Sequence, residues 1–202
     1  MDGIVEKSIL QNYIILKGVK MKNIINGSIV LITGGTGTFG SAFLKRILQF
    51  NPKQVRIFSR DEKKQILLRN ELRQYNNIKY IIGDIRDISS VQRAMTGVDY
   101  VFHAAAMKQI PACEENPIEA LKTNVLGSNN VLESAIDAGV KKIVCISTDK
   151  AVNPTSTMGL TKLYMEKLAL QKAKEQDKTS ICLVRFCNLI YSSGSVVPLF
   201  IS

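Results

Sequence analysis

Along the chain, short runs of β-branched and other apolar residues alternate with longer stretches in which apolar positions recur every three or four residues. Six of the short runs read as strands: SIVLIT (28–33), QVRIFS (54–59), IKYIIG (78–83), VDYVFHA (98–104), KKIVCIS (141–147) and SICLVRF (180–186). Several are apolar almost throughout, the pattern of strands covered on both faces and hence of a parallel sheet. The longer segments predict helices over 38–50, 61–75, 88–96, 117–138 and 157–176. Strand and helix in strict alternation specify a doubly wound α/β domain. Right-handed crossovers then set the strand order 3-2-1-4-5-6.

Residues 1–26 precede the first strand and read as an N-terminal extension; Met21 opens MKNIINGSIVLITGG, itself a natural beginning. Residues 27–202 make up the α/β domain. The sequence stops at SVVPLFIS, soon after the sixth strand, which leaves no room for a second, substrate-binding domain. There is no internal repeat and no low-complexity tract.

Composition narrows the class. With 202 residues, 46% hydrophobic and 22% charged, the chain suits one globular domain. No apolar run approaches the roughly 18 to 20 residues that span a bilayer, and the mixed first 20 residues are no secretory signal. A cytoplasmic protein without a membrane span is expected. Cys113, Cys145, Cys182 and Cys187 show no paired metal spacing, and His103 is the one histidine, so no metal site is expected and the cysteines read as structural thiols. The net charge of +10 comes from lysines spread over helices and turns without interleaved aromatics. They read as solvated faces rather than a nucleic-acid surface, and they also suit an anionic ligand.

Chemistry enters with LITGGTGTFG. Gly34, Gly37 and Gly40 follow a strand and open a helix at G-x-x-G-x-x-G spacing. Such glycines permit a tight turn, a close approach of pyrophosphate, and close helix–strand packing beneath helix N–H groups. The domain is therefore read as a Rossmann-type dinucleotide binder. At the end of the second strand, where an NAD site carries an acidic residue, stand Ser59 and Arg60, with Lys63 following. A hydroxyl and two cations there favour NADP over NAD; the alternative is a solvated helix start with Asp61 as N-cap. Asp84, after the third strand, is placed to accept from an adenine amino group with Ile85 against the ring, or is a turn aspartate. Ala104, Ala105 and Ala106 leave room for cofactor ribose and pyrophosphate, or simply begin a helix. Asp149 and Lys150 lie just beyond the fifth strand, with Ser147 and Thr148 before them. An acid and a base there can protonate a leaving hydroxyl and remove a carbon-bound proton, or form a surface ion pair. Lys162 lies one helical turn after Met158.

The stretches TGGTGTFG, FSRDEKKQ, GDIRD, HAAAMKQIPACEENPIEALKTNVLGSNNVLESAI and STDKAVNPTSTMGLTK resemble the polysaccharide-biosynthesis branch of the extended short-chain dehydrogenase/reductases, which includes inverting UDP-N-acetylglucosamine 4,6-dehydratases and nucleotide-sugar epimerases. The resemblance covers residues 27–201. It implies a UDP-sugar substrate and a reaction in which hydride passes from sugar C4 to NADP⁺, Lys150 removes the C5 proton, Asp149 protonates the departing C6 hydroxyl, and hydride returns to C6 with inversion at C5. Lys162 would hold the nicotinamide ribose. Thr36, Thr38, Phe39, Lys108, Asn124 and Ser147 are expected at the cofactor, and Lys108, Thr148 and Asn188 at the substrate. The resemblance also implies dimerisation through the helices of 117–138 and 157–176.

Three departures bear on that expectation. Most short-chain dehydrogenases carry Tyr-x-x-x-Lys, whereas this chain reads Met158-Gly-Leu-Thr-Lys162, so another group must act on the C4 hydroxyl, with Lys150 or Asp149 through water available. In RFCNLIYSSGSVVP, Cys187 stands for a glycine and Ser193 for an arginine of the family pattern. Finally, family members continue for roughly another hundred residues, so a truncated or split coding sequence, with a separately encoded C-terminal part as partner, is expected. The leading expectation is a UDP-N-acetylglucosamine 4,6-dehydratase. The alternatives are a UDP-sugar 4-epimerase, which needs oxidation and reduction at C4 only, and a non-catalytic NADP-binding remnant.

Overall fold

The apolar character of the strand runs is explained by what lies on either side of them. In the computed structural model, which describes residues 23–187, six parallel strands form one sheet in the order β3-β2-β1-β4-β5-β6. They are β1 Ile29–Thr33, β2 Gln54–Ser59, β3 Ile78–Ile82, β4 Tyr100–His103, β5 Lys142–Thr148 and β6 Ser180–Phe186. Side chains alternate along β1, so Val30 and Ile32 join one core layer and Leu31 the other. Helices α1 Thr38–Leu48 and α2 Glu62–Glu71 close the first layer with Leu44, Ile47, Leu48 and Leu68. The second layer is closed by α3 Ile88–Met95 and two later helices. Between them come α4 Ile110–Glu115 and α5 Pro117–Leu121. The two later helices are α6 Ser128–Asp137 and α7 Thr157–Glu175, which contribute Leu132, Met165 and Ala169.

The expected strand order is the one observed. The fourth strand is shorter than VDYVFHA because Asp99 is used otherwise: its Oδ2 accepts from Ile29 N at 2.8 Å and its Oδ1 pairs with Lys141 Nζ at 2.8 Å. The helix expected over 61–75 begins after Asp61, which caps it by accepting from Lys64 N, and stops at Glu71. Helix α4 was not anticipated; its Pro111 sits in the first turn, where no N–H is missed. The segment expected as one helix over 117–138 is helical throughout, but its middle, Lys122–Gly127, is a π-helix between α5 and α6. Residues 1–22 of the expected extension, together with Asn188 and Ser193, lie outside the described residues. No helix among the described residues is long and apolar enough to cross a membrane.

Parallel pairing brings the carboxyl ends of all six strands to one edge. Strand β1 has β2 on one side and β4 on the other, so successive crossovers leave in opposite directions and open a crevice at that edge. Across it, aromatic rings link distant parts of the chain. Phe39 of α1 stacks on Phe43 at 5.5 Å and meets Phe186 at the end of β6 at 5.4 Å, while Phe43 packs on Phe102 of β4 at 4.0 Å.

Candidate active site

The glycine loop forms the first wall of the crevice. Gly34 has φ of +67°, a left-handed conformation, and a Cβ there would lie 2.7 Å from Ala105 N, so the ends of β1 and β4 approach as only glycine allows. A Cβ on Gly40 would fall 2.5 Å from Gly34 O, which locks α1 against the loop. The N-cap of α1 is Gly37, whose lack of a side chain leaves the first N–H groups uncapped, whereas α2, α3 and α7 are capped by Asp61, Asp87 and Ser156. An uncapped, unobstructed helix start beside a glycine turn suits a pyrophosphate. Together with the space beyond it, this cradle fits a dinucleotide.

That space is a crevice of about 820 Å³. It gathers most of the residues expected from sequence: Gly34, Thr36, Gly37, Thr38, Phe39 and Gly40 from the loop, Ser59 and Arg60 from β2, and Asp84 and Ile85 after β3. Ala104, Ala106 and Lys108 line it after β4, and Ser147, Thr148, Lys150, Met158 and Lys162 from the β5–α7 side. Four expected residues do not line it: Lys63, Ala105, Asn124 and Asp149. Cys187, the departure from the family glycine, does.

At the β2 corner the helix lysine that lines the crevice is Lys64, not Lys63, both lying in the first turn after the Asp61 cap. Lys64 Nζ pairs with Asp61 Oδ2 at 3.3 Å, so an acidic side chain also borders this corner. Asp84 is held by Arg86 through Nε at 2.9 Å and NH2 at 2.7 Å, and Arg60 NH1 lies 3.4 Å away. Burial pushes the Asp84 carboxyl up, but these guanidinium groups outweigh it and keep it below the usual range.

The floor is built by buried polar groups. Lys162 is 6% exposed and donates from Nζ to Ile146 O at 2.6 Å. Burial pulls its ammonium group down to about 8, against the opposing influence of Cys145 and Glu166. Asn124, fully buried, lies behind the wall: its Oδ1 accepts from Met107 N at 2.8 Å, and its Nδ2 donates to Met107 O at 2.9 Å and Thr161 Oγ1 at 3.0 Å. It fixes the strand-to-helix loop carrying Lys108 from outside the crevice lining. The residue before it, Thr123, was missed from sequence; it lines the crevice, and its buried hydroxyl has no hydrogen-bond partner among the described residues. A buried group of this kind calls for a partner, and its place on the crevice makes a bound ligand a candidate. His103 is 1% exposed and ties β1 to α6, with Thr33 Oγ1 at 2.7 Å from Nδ1 and Ser128 Oγ at 2.8 Å from Nε2. Burial drives its imidazole down to about 3, so it is neutral and structural. Among the described residues no cluster of His, Cys, Asp and Glu could hold a metal.

The pair next to β5 divides. Lys150 lines the crevice, while Asp149 does not. Asp149 Oδ1 accepts from Thr148 Oγ1 at 2.9 Å, Lys150 N at 2.9 Å and Lys150 Nζ at 3.2 Å. These contacts, the Thr148 hydroxyl foremost, hold its carboxyl below the usual range. Met158, 5% exposed, packs with Cys113, Ala120 and Met107 and presents an apolar surface where proton transfer is impossible.

Fold and crevice together define a doubly wound, Rossmann-type α/β protein with a glycine-lined crevice at the carboxyl edge of its sheet. Residues 30–202 match the model of a family described as polysaccharide biosynthesis protein, and the chain belongs to that family. It is 53% identical over 178 residues to UDP-glucose 4-epimerase of Rickettsia typhi, an alignment covering 85% of this chain and 52% of that protein. The chain thus spans about half the length of the curated relatives it matches. Among solved structures, Pen from Bacillus thuringiensis superposes with a TM-score of 0.85 at 47% identity, covering 87% of this chain and 57% of that one. DesIV from Streptomyces venezuelae, a dTDP-glucose 4,6-dehydratase with NAD bound, superposes at 0.78 with 24% identity over 86% and 61% of the two chains, a likeness of fold.

Proposed function

We propose that the chain is the dinucleotide-binding and catalytic half of a nucleotide-sugar 4-epimerase acting on a UDP-linked hexose. The observation that carries this reading is that Lys150 lines the crevice whereas its ion-pair partner Asp149, engaged by Thr148 and Lys150, does not. Epimerisation needs one proton-handling group at the C4 hydroxyl, whereas dehydration also needs an acid for the departing C6 hydroxyl. The rickettsial relatives named UDP-glucose 4-epimerase support the same choice over the 4,6-dehydratase expected from sequence.

A nicotinamide dinucleotide, when bound, supplies a reversible hydride acceptor for sugar C4. Gly34, Gly37 and the start of α1 hold its pyrophosphate, and Thr123 and Lys162 reach its nicotinamide half. Ser59, Arg60 and Lys64 offer a hydroxyl and two cations around the adenosine ribose, which favours NADP. Lys150, once its ammonium has released a proton to solvent, would take the proton from sugar O4 as C4 is oxidised and return it after the sugar presents its other face. The buried cation of Lys162 stabilises negative charge developing at O4. Met158 contributes shape alone.

A second reading, C5-inverting 4,6-dehydration, keeps one observation in its favour: Asp149 Oδ1 and Lys150 Nζ lie 3.2 Å apart at the strand end where substrates of such sheets bind. The test begins with calorimetry of the 202-residue chain against NADP⁺ and UDP, followed by product analysis with UDP-glucose and UDP-N-acetylglucosamine. The C4 epimer of either sugar is expected; a 4-keto-6-deoxy product would replace epimerisation by dehydration. Dinucleotide binding without turnover would mark a cofactor-binding half that acts only with further polypeptide. Lys150→Ala should lower any turnover about 10²-fold or more while dinucleotide affinity changes little.

A further inference from the structure

Beneath the crevice floor, β5, β6 and α7 meet in a closed set of hydrogen bonds. Ser147, 4% exposed and lining the crevice, donates from Oγ to Glu166 Oε1 at 2.5 Å. Glu166, also 4% exposed, accepts Arg185 Nε on that same oxygen at 2.9 Å and Arg185 NH2 on Oε2 at 2.6 Å. The guanidinium holds the Glu166 carboxyl below its usual range, so it is an ionised acceptor with no hydrogen to offer. A serine hydroxyl has one hydrogen and two lone pairs. The hydrogen of Ser147 is committed to Glu166, so only its lone pairs are available to the crevice. Lys162, one turn earlier on α7 than Glu166, presents the opposite polarity, an ammonium with hydrogens beyond the one given to Ile146 O.

We propose that Glu166 fixes Ser147 as a hydrogen-bond acceptor at the crevice floor and thereby selects a ligand group that donates there, an N–H or an O–H. The inference rests on the reading of the crevice as a dinucleotide and sugar site. Two groups of such ligands carry the required hydrogen: the carboxamide of a nicotinamide ring and a sugar hydroxyl. Glu166 touches neither; it is a positioning residue that acts through Ser147.

The substitution Glu166→Gln separates this role from a merely structural one. Its amide oxygen can keep Arg185 NH2 while its NH₂, in the place of Oε1, gives up Arg185 Nε and faces Ser147, and two donors cannot share a hydrogen bond. Ser147 must then accept from the amide and turn its own hydrogen to the crevice. Wild type, Glu166→Gln and Ser147→Ala are titrated by calorimetry with NADP⁺ and with its 3-acetylpyridine analogue, whose acetyl group accepts but cannot donate. Wild type should prefer the carboxamide about three- to tenfold, the worth of one uncharged hydrogen bond. Glu166→Gln should erase or reverse that preference. Ser147→Ala should erase it too, which keeps the test decisive should Glu166→Gln fail to fold. If wild type binds the two dinucleotides equally, the same proteins are titrated with UDP-glucose and its 4-deoxy analogue; a wild-type preference for the hydroxyl that both variants lose assigns the donor to the sugar. Affinity ratios unchanged by either variant in both ligand pairs overturn the proposal. Absence of dinucleotide binding by wild type overturns the functional reading and this inference with it.

Discussion

Lys162 lines the crevice and, as a buried cation, opposes the stability of the fold. Its pKa is pulled down from 10.5 to about 8 by burial, so the folded state holds a proton less readily than the unfolded one. Between about pH 8 and 10.5 the unfolded chain therefore binds more protons at this site, and stability rises with pH across that window. Relative to Lys162→Met, wild type should gain stability as pH is raised from 8 to 10.5, on the order of a few kcal/mol at most, measurable by urea denaturation at each pH. At pH 7 the variant should be no less stable, while its dinucleotide affinity falls. Thr123→Val tests the unpartnered hydroxyl in the same way: the melting temperature should hold or rise, and NADP⁺ affinity should drop several-fold in calorimetry. Legibility at this scale was uneven. Lys162 and the loop glycines could be placed from spacing because strand and helix ends fix their backbones. Which of the adjacent Lys63 and Lys64 lines the crevice was not legible, because both follow the Asp61 cap in the first helical turn and only their three-dimensional placement separates them.

At the scale of elements, the π segment Lys122–Gly127 matters most. π-helical turns recur at functional sites, and here the wider turn buries Thr123, Asn124 and Val125 together, with Thr123 on the crevice and Asn124 on Met107. Asn124→Ala would leave the Met107 N–H and C=O without these partners in a part-buried loop. We expect a loss of about 2–4 kcal/mol in urea denaturation, on the basis of about 1–3 kcal/mol per orphaned buried group, and weaker dinucleotide binding as the Lys108 loop loosens. The apolar spacing of 117–138 made the helix legible, since a π turn leaves the buried stripe nearly continuous. The widened turn itself was not legible, because no residue type enforces it; the packing of Asn124 against Met107 and Thr161 does. Strand ends were legible where apolar residues stop at small or polar ones, and failed at Asp99, whose side chain takes over a backbone partner's role at the foot of β1.

For the whole molecule, sheet order and crevice position follow from alternation and handedness, which is why they could be read without the structure. The layer-to-layer tie at His103 could not, because it depends on three hydrogen-bonding residues distant in sequence. Its imidazole is driven down to about 3 against 6.5 when unfolded, so its contribution is complete above about pH 6.5 and is lost as pH falls from there toward 3. Acid denaturation followed by circular dichroism should show this loss, and His103→Gln should flatten that part of the curve while lowering stability at pH 7. The aromatic contact between Phe39 and Phe186 has a consequence in time. The first strand made by the ribosome lies at the centre of the sheet and the sixth at its rim, so a nascent chain can assemble outward from β1 as each strand emerges. Phe186 belongs to the last strand of the order, yet it closes on the ring beside the first glycine loop. The wall of the crevice that Phe186 supplies is therefore in place only when translation has passed β6.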